Sequence, residues 1–335
     1  MELGYHVLLE KPMSNNEAQC RQIVDAANRT GRTLAVCHVL RYTPFYMTLK
    51  HLIDQGRIGE VTTINQIENV GYWHQAHSFV RGNWRNTAET SPMILQKSCH
   101  DMDIILWLMD KTCKRVQSFG SLRHFTPENA PEGAPERCLD GCPHADTCPY
   151  YAPRLYMDMN RTGWPVDVIT TDLSEAGRRK ALEEGPYGRC VYACDNDVVD
   201  SQVVNMEMED GVLCQLMMTA FCEHGGRSIR VMGTRGCIEG DMDRNVITVK
   251  PFGLPARVID INLAERDLAG HGGGDGAMVA EVIRMLGETG KPTPRMTTLE
   301  ASCESHYIAF AAEKSRLSGG AAVELSEVRG VPAKD

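Results

Sequence analysis

Four groups of residues in this sequence have types and spacings that could do chemistry. Glu10-Lys11-Pro12 closes a short apolar run, Tyr5 to Leu9. That run has the content of a buried parallel strand, and Pro12 ends it because proline cannot donate to a ladder. A lysine therefore stands at the carboxyl end of a strand, the edge where open α/β sheets bind ligands. Lys97 has His100 and Asp101 three and four residues on, so all three project from one side of a helix. An imidazole of ordinary pKa can take a proton at working pH, and a neighbouring ammonium can steady an alkoxide. A lysine beside another cation has a lowered pKa, so either Lys97 or His100 could be the proton carrier. His74, Arg81 and Trp84 lie in a stretch from Gly71 to Arg85 dense in aromatic and cationic side chains. That set suits a hydroxylated or acidic small molecule with an indole stacked on a sugar-like ring, although aromatics capping a sheet edge would read the same way.

The fourth group is Cys138-x3-Cys142-x-His144-x3-Cys148, with Cys190 and Cys194 beyond it. Three thiols so close together, with a fourth ligand downstream, suit a closed tetrahedral zinc site. Cys138, Cys142, Cys148 and Cys190 are the expected ligands, with His144 or Cys194 as substitutes. The surrounding segment, Pro127 to Gly188, is rich in proline, glycine and charge. An irregular insert with few large apolar residues needs another source of order, and a structural metal could supply it. The other reading is of unligated thiols in a loop.

These residues need elements to hold them. Ser14 and Glu17 have capping-box spacing ahead of a helix that runs toward Gly31. Thr33 to Leu40 reads as a second buried strand, Phe45 to Gly56 as a helix, and Val61 to Val70 as a half-buried strand. Met93 to Asp110 has helical periodicity. Asp200 to Met208 and Val212 to Cys222 alternate around Asp210-Gly211, a hairpin signal. Further short strands up to Lys250 suggest an open, mainly antiparallel sheet of roughly five or six strands by the same run-and-turn count. Gly270-His271-Gly272-Gly273-Gly274-Asp275 could form a loop that cradles an anion as it opens a helix from Asp275 to Gly287. A last helix, Thr298 to Leu317, places His306 on its inner stripe as a core histidine.

The chain has 335 residues, 42% hydrophobic and 24% charged, as in ordinary globular proteins. Its formal charge of -9 argues against nucleic acid and anionic membranes as partners. Thirteen cysteines, mostly scattered singly, suit a reducing compartment, so a cytoplasmic protein is expected.

Gly4 to Pro12, the Arg41-Tyr42-Thr43-Pro44 passage and the Gly56-Arg57-Ile58-Gly59-Glu60 turn together resemble the glucose-fructose oxidoreductase and inositol dehydrogenase (Gfo/Idh/MocA) family. The resemblance implies an α/β plus α+β fold. Residues 1–58 would be the C-terminal remnant of a Rossmann domain. Residues 59–320 would form an open, mainly antiparallel sheet domain with helices on one face and a Cys-rich insert at about 127–195, followed by a tail at 321–335. In the family a Gly-x-Gly-x-x-Gly phosphate loop precedes the Glu-Lys-Pro motif. None occurs here, so roughly 60 to 90 residues of the family's cofactor domain have no counterpart in this chain.

By the same resemblance Glu10, Lys11, Pro12 and Arg41 would contact NAD or NADP. Lys11, Lys97 and His100 would be catalytic, and His74, Arg81, Trp84, Lys97 and His100 would line the substrate site. The family commonly has an aspartate four residues before its catalytic histidine, where this chain has Gln96. The implied activity is oxidation of a secondary hydroxyl of a sugar, inositol or related polyol, with the open sheet joining copies into a homo-oligomer. Two alternatives stand beside it: a glycosidase that oxidises, eliminates and re-reduces on held NAD, and a non-catalytic, zinc-stabilised binding domain.

Overall fold

An apolar run that cannot bury itself must pair. In the computed structural model, which describes residues 1–263, 269–289 and 296–330, the first such run pairs with the next. β1 (Val7–Leu9) lies parallel to β2 (Leu34–Val36), with Val7 opposite Leu34 and Leu9 opposite Val36. The helix between them, Glu17–Thr30, is capped by Asn16, whose side chain accepts from the Gln19 amide at 3.1 Å. The capping box expected of Ser14 and Glu17 is not formed, because Ser14 bonds the Gln19 side chain and the Asn16 amide instead. β2 is buried throughout, but Tyr5 is 69% and Leu8 43% exposed, so the expected buried first strand is half in water. A 3-10 turn, Val39–Tyr42, leads to the helix Pro44–Asp54, which is capped by Thr43.

The large sheet comprises β3 (Val61–Asn69), β4 (Cys113–Ser121), β5 (Ser201–Met208), β6 (Leu213–Thr219), β7 (Gly226–Gly233), β8 (Gly236–Asp241), β9 (Val246–Pro251), β10 (Arg257–Asp260) and β11 (Val323–Glu324). Their spatial order is β10-β9-β8-β7-β3-β6-β5-β4-β11, nine strands among the described residues rather than five or six. β4, β10 and β11 escape a sequence reading because each carries few buried apolar residues. Every ladder is antiparallel except β3 with β6. The hairpin between β5 and β6 turns at Gly211 with φ 85°, a conformation that favours glycine. Within the expected tail, residues 321–330 pack on the sheet: β11 pairs with β4, and Leu325 and Val328 of the helix Leu325–Arg329 enter the main core.

One face of the sheet packs under the helices Cys99–Met109 and Leu299–Leu317, with Ile64, Val204, Cys214, Leu216, Val231 and Ile238 in the core. The other face carries an amide ladder, Asn65 to Gln215 at 2.7 Å and Gln215 to Asn205 at 3.0 Å. Among the described residues no helix is long and apolar enough to cross a membrane.

Three local expectations change. The helix expected from Met93 to Asp110 is two, Met93–Gln96 and Cys99–Met109, broken at Lys97-Ser98. The stretch expected as a loop from Gly71 is helical: a turn at Tyr72–His74 runs into a π-helical segment, Gln75–Arg81, buried along its length. The glycine run lies inside the helix Ala269–Arg284. There a Cβ on Gly274 would sit 2.5 Å from the Val39 carbonyl oxygen, so this glycine serves close packing.

The insert between β4 and β5 is ordered by arginines. Arg178 is fully buried and donates to the carbonyls of Leu173, Tyr156, Asp158 and Arg161 at 2.8–3.2 Å. Arg137 bonds the carbonyls of Leu182 and Gly185 at 2.7 and 2.5 Å. Beside them Cys138, Ala152, Tyr156, Leu182 and Tyr187 form a small apolar cluster. A guanidinium satisfies several carbonyls of an irregular chain at once, which is the ordering role a metal was expected to play. Arg178→Ala is therefore expected to destabilise the insert by about 3 kcal/mol, since charged donors leave buried carbonyls unpaired. Limited proteolysis should cut this variant within the insert first; an unchanged digestion pattern would count against the clamp.

Candidate active site

β3 and β7 run antiparallel with Glu68 opposite Arg227. The helix Cys99–Met109 crosses the buried face of that pair and brings Asp101 to the same point. Glu68 is 1% and Asp101 0% exposed, so both need partners. Arg227 donates its Nε–H to Asp101 Oδ1 at 2.8 Å and a second N–H to Oδ2 at 3.3 Å, while Nε also lies 2.8 Å from Glu68 Oε2. One Nε–H serves one acceptor here. Glu68 Oε2 is thus paired by charge and has no hydrogen bond. Lys97 Nζ sits 3.3 Å from Glu68 Oε1, and Gln66 donates to Asp101 Oδ1 at 2.5 Å. Burial pushes the Glu68 carboxyl up, opposed by Arg227 and Lys97. Burial also opposes the charge on Arg227, but Asp101 and Glu68 outweigh it and raise its pKa.

His100 begins the same helix, and its Nδ1 is buried without a hydrogen-bond partner. Its ring meets His38 edge-on at 5.8 Å and His271 at 6.4 Å. Burial first, then the charges of Lys11, His38, Arg227 and Lys97, hold its pKa well below 6.5, so the imidazole is neutral. His38, absent from the sequence reading, is fully buried with both nitrogens unpartnered and is pushed down to about 4, mainly by burial.

Lys11 donates from Nζ to the Gln96 carbonyl at 2.9 Å. Burial lowers its pKa; Cys99 opposes that, while Lys97 and Arg227 add to it. Two residues on, the Met13 amide donates to His306 Nε2 at 2.8 Å, and His306 Nδ1 lies 2.7 Å from the Ser302 carbonyl. Nε2 must accept, so Nδ1 carries the proton. The expected core histidine is thus a neutral clamp that ties the lysine segment to the helix Leu299–Leu317. Glu10 is exposed and Pro12 half-buried at the end of β1.

The remaining expected site residues separate. His74 borders the centre, stacked on Trp73 at 5.7 Å and 5.0 Å from Trp164, and burial with Lys97, His77 and Lys11 brings it down to about 2. Arg81 does not face that centre: it donates to the carbonyls of Arg189 and Tyr150, both at 2.7 Å, and joins the π-helical segment to the insert. Trp84 packs on Phe79 at 5.7 Å, beside a cluster with Val70, Met93 and Val198. Arg41 is held by Asp103 through two bonds of 2.6 and 2.7 Å and lies 5.6 Å over the Trp107 ring. Two of its guanidinium nitrogens are thus committed to a carboxylate.

The thiols correct an expectation. Cys138, Cys142, Cys148 and Cys190 border one narrow cavity with Arg81 and His144. Yet among the described residues no three His, Cys, Asp or Glu side chains come together in a way that could hold a metal ion, so the expected zinc centre finds no support in this geometry. His144 Nε2 is engaged with the Glu132 carbonyl at 2.8 Å, and Cys194 bonds the Cys190 carbonyl at 3.2 Å within an apolar cluster.

Glu68, Arg227 and His38 are the functional candidates missed by spacing. A signal existed: Gln66 and Glu68 share the parity of Ile64 on β3, and Arg227 that of Ile229 and Val231 on β7, so polar residues occupy core-facing positions.

Comparison with known proteins bears on this centre. The model of an oxidoreductase family, C-terminal alpha/beta domain (GFO_IDH_MocA_C), matches residues 50–320. YteT of Bacillus subtilis is 24% identical over 291 residues, 83% of this chain and 66% of that protein. Inositol 2-dehydrogenase of Streptomyces avermitilis is 35% identical over 136 residues, 39% of this chain and 34% of that enzyme. The chain thus spans less than two thirds of these relatives. An Agrobacterium radiobacter oxidoreductase, solved with NAD+, L-tartaric acid and magnesium, shares the fold at a TM-score of 0.63 and 12% identity, covering 96% of this chain and 73% of that one.

Proposed function

The chain belongs to the Gfo/Idh/MocA oxidoreductase family, and on that premise we propose that it oxidises a secondary hydroxyl of a sugar, inositol or related polyol with NAD or NADP. The observation that carries this reading is the meeting of Lys11, Lys97 and a neutral His100 with an unpartnered nitrogen. The partly matching relative named as an inositol 2-dehydrogenase supports the substrate class.

The residues present fit one end of the cofactor. Buried ring nitrogens on His38 and His100 without a hydrogen bond mark a polar site that calls for a ligand or water to complete it, and Lys11 stands at the end of β1 beside them. The turn after β1 is Glu10-Lys11-Pro12, so a pyrophosphate has no glycine cradle there. Lys11 would hold the nicotinamide end, and a bound nicotinamide supplies the hydride acceptor. The rest is this chain's own work. His100 takes the hydroxyl proton as a neutral base. Lys97, ion-paired with Glu68, contributes positive charge toward the developing alkoxide. Arg227 and Asp101 hold that pair in place, and His74 borders the substrate.

His100→Asn in the full-length protein is expected to lower kcat by roughly 10²–10⁴-fold, the usual worth of a positioned base. NADH binding, followed by nicotinamide fluorescence, should survive that change but weaken in Lys11→Ala. Undiminished turnover in His100→Asn would sink the assignment. Net NADH formation separates a dehydrogenase from the oxidation-elimination glycosidase. The open face of the sheet, which exposes Leu213 and Met217 beside its amide ladder, is the surface we assign to a second copy of the chain.

A further inference from the structure

Between the helical segment that starts at Tyr72 and the insert lies a cleft of about 460 Å³ that the reaction above does not use. Tyr72 and Trp73 form one wall; Tyr150 and Tyr151, from the insert, help form the other, with Arg154 and Arg161 beside them. Trp73 belongs to both places, because its indole lines the cleft and stacks on His74 at 5.7 Å with the planes 27° apart. Trp164, also from the insert and half exposed, packs edge-on at 5.3 Å from Trp73 and 5.0 Å from His74. The cleft therefore adjoins the reaction centre at the stack of Trp73 on His74.

Its chemistry differs from that of the molecule as a whole. Aromatic faces at the walls of a groove suit the apolar face of a pyranose ring. Two exposed arginines, Arg154 and Arg161, line the cleft against one carboxylate, Glu223, in a chain whose net charge is -9; Arg81 also borders it, but its donors are taken by the Arg189 and Tyr150 carbonyls. Arg154 is aimed by bonds from one of its nitrogens to the Ala145 and Asp146 carbonyls at 3.0 and 2.8 Å. Arg161 is largely exposed and shares its charge with Asp158 at 3.3 Å. Guanidinium forks match carboxylates in geometry, and rings flanked by such forks match a sugar acid.

We propose that this cleft binds a second sugar unit that carries a carboxylate and is linked to the unit whose hydroxyl is oxidised. The substrate is then an acidic disaccharide or longer glycoside rather than a free polyol. This inference rests on the polyol-oxidising reading of the neighbouring centre and extends it outward.

Isothermal titration of the full-length protein tests it without turnover, using α- and β-linked glucuronyl-glucose disaccharides, the matching neutral glucosyl-glucose disaccharides, free glucuronate and myo-inositol. At least one acidic disaccharide should bind about ten-fold more tightly than its neutral counterpart and than free glucuronate, the worth of one charged hydrogen-bonding pair. Arg161→Glu should erase the preference for the acid while leaving the neutral disaccharide unchanged. Tyr151→Ala should weaken both disaccharides and leave myo-inositol as it was, with thermal melting confirming that both variants fold. Equal binding of acidic and neutral sugars, or acid binding indifferent to Arg161→Glu and Tyr151→Ala, overturns the subsite. NADH production from the same sugars reports separately on the reaction centre: Arg161-dependent binding without NADH would leave the cleft standing and remove the oxidation reading.

Discussion

Lowering the pH from 6.5 to 5.5 is expected to cost the folded protein about 4 kcal/mol of stability. An ordinary imidazole titrates near 6.5, but in this fold His38 and His77 are pushed down to about 4, His306 to about 3, His74 to about 2, and His100 well below 6.5, with burial as the first cause in each case. Below 6.5 the unfolded chain takes up protons on these five side chains while the folded chain does not. The unfolded state then binds more protons, so stability is present above that value and drains as the pH falls toward the folded values. His38, His77, His306 and His74 contribute about 1 kcal/mol each over the first pH unit, and His100 acts in the same direction. Glu68 works the other way, because burial raises its carboxyl and it takes up a proton in the folded chain first. Urea unfolding at pH 7.5, 6.5 and 5.5 measures the slope. A flat profile across that range would show that these imidazoles are not held neutral, and His38→Phe should make the profile shallower by about one proton.

Arg227→Met is expected to cost about 3–5 kcal/mol, since it leaves Glu68 and Asp101 buried with one partly exposed lysine beside Glu68. The loss comes from uncompensated charge rather than lost volume. Replacing the two acids as well, in the triple variant Arg227→Met, Glu68→Gln, Asp101→Asn, should therefore recover most of the stability, as apolar or neutral substitutes for buried ion networks often do. Turnover should not recover with it, because Lys97 would have lost the carboxylate that positions it. Chemical denaturation and kinetics on the parent, the single variant and the triple variant separate the two effects. If the single variant is as stable as the parent, the network is not what holds the centre together.

Much of the local order was legible in the chain. Gly211 turned the hairpin it was expected to turn, and Leu34–Val36 became a buried strand because its residues suit nothing else. His306 was read correctly as a core residue, though its two bonds to Met13 and Ser302 were not visible in a helical stripe. Arg81 shows the opposite case. An arginine in an aromatic stretch looks like a ligand-binding residue, yet its donors are used by two carbonyls of the insert, more than a hundred residues on in the case of Arg189. The cysteines failed for a related reason. Spacing placed four thiols around one cavity, as expected, but ordering came from Arg178 and Arg137, whose bonding partners no spacing rule could name.

What the sequence determined by itself was therefore the family resemblance, the lysine at the end of a strand, the lysine and histidine of one helical region, and the alternation that builds an open sheet. These depend on neighbours within a few residues, where periodicity and turn chemistry act. Only the tertiary structure decided that Glu68 stands opposite Arg227, because an antiparallel register is chosen by the whole buried face and not by either strand alone. The same packing turned His38 and His100 into neutral imidazoles and brought Trp164 from the insert to the edge of the reaction centre. Burial and long-range contact are properties of the folded chain, so the electrostatics of this site exist only once it has folded.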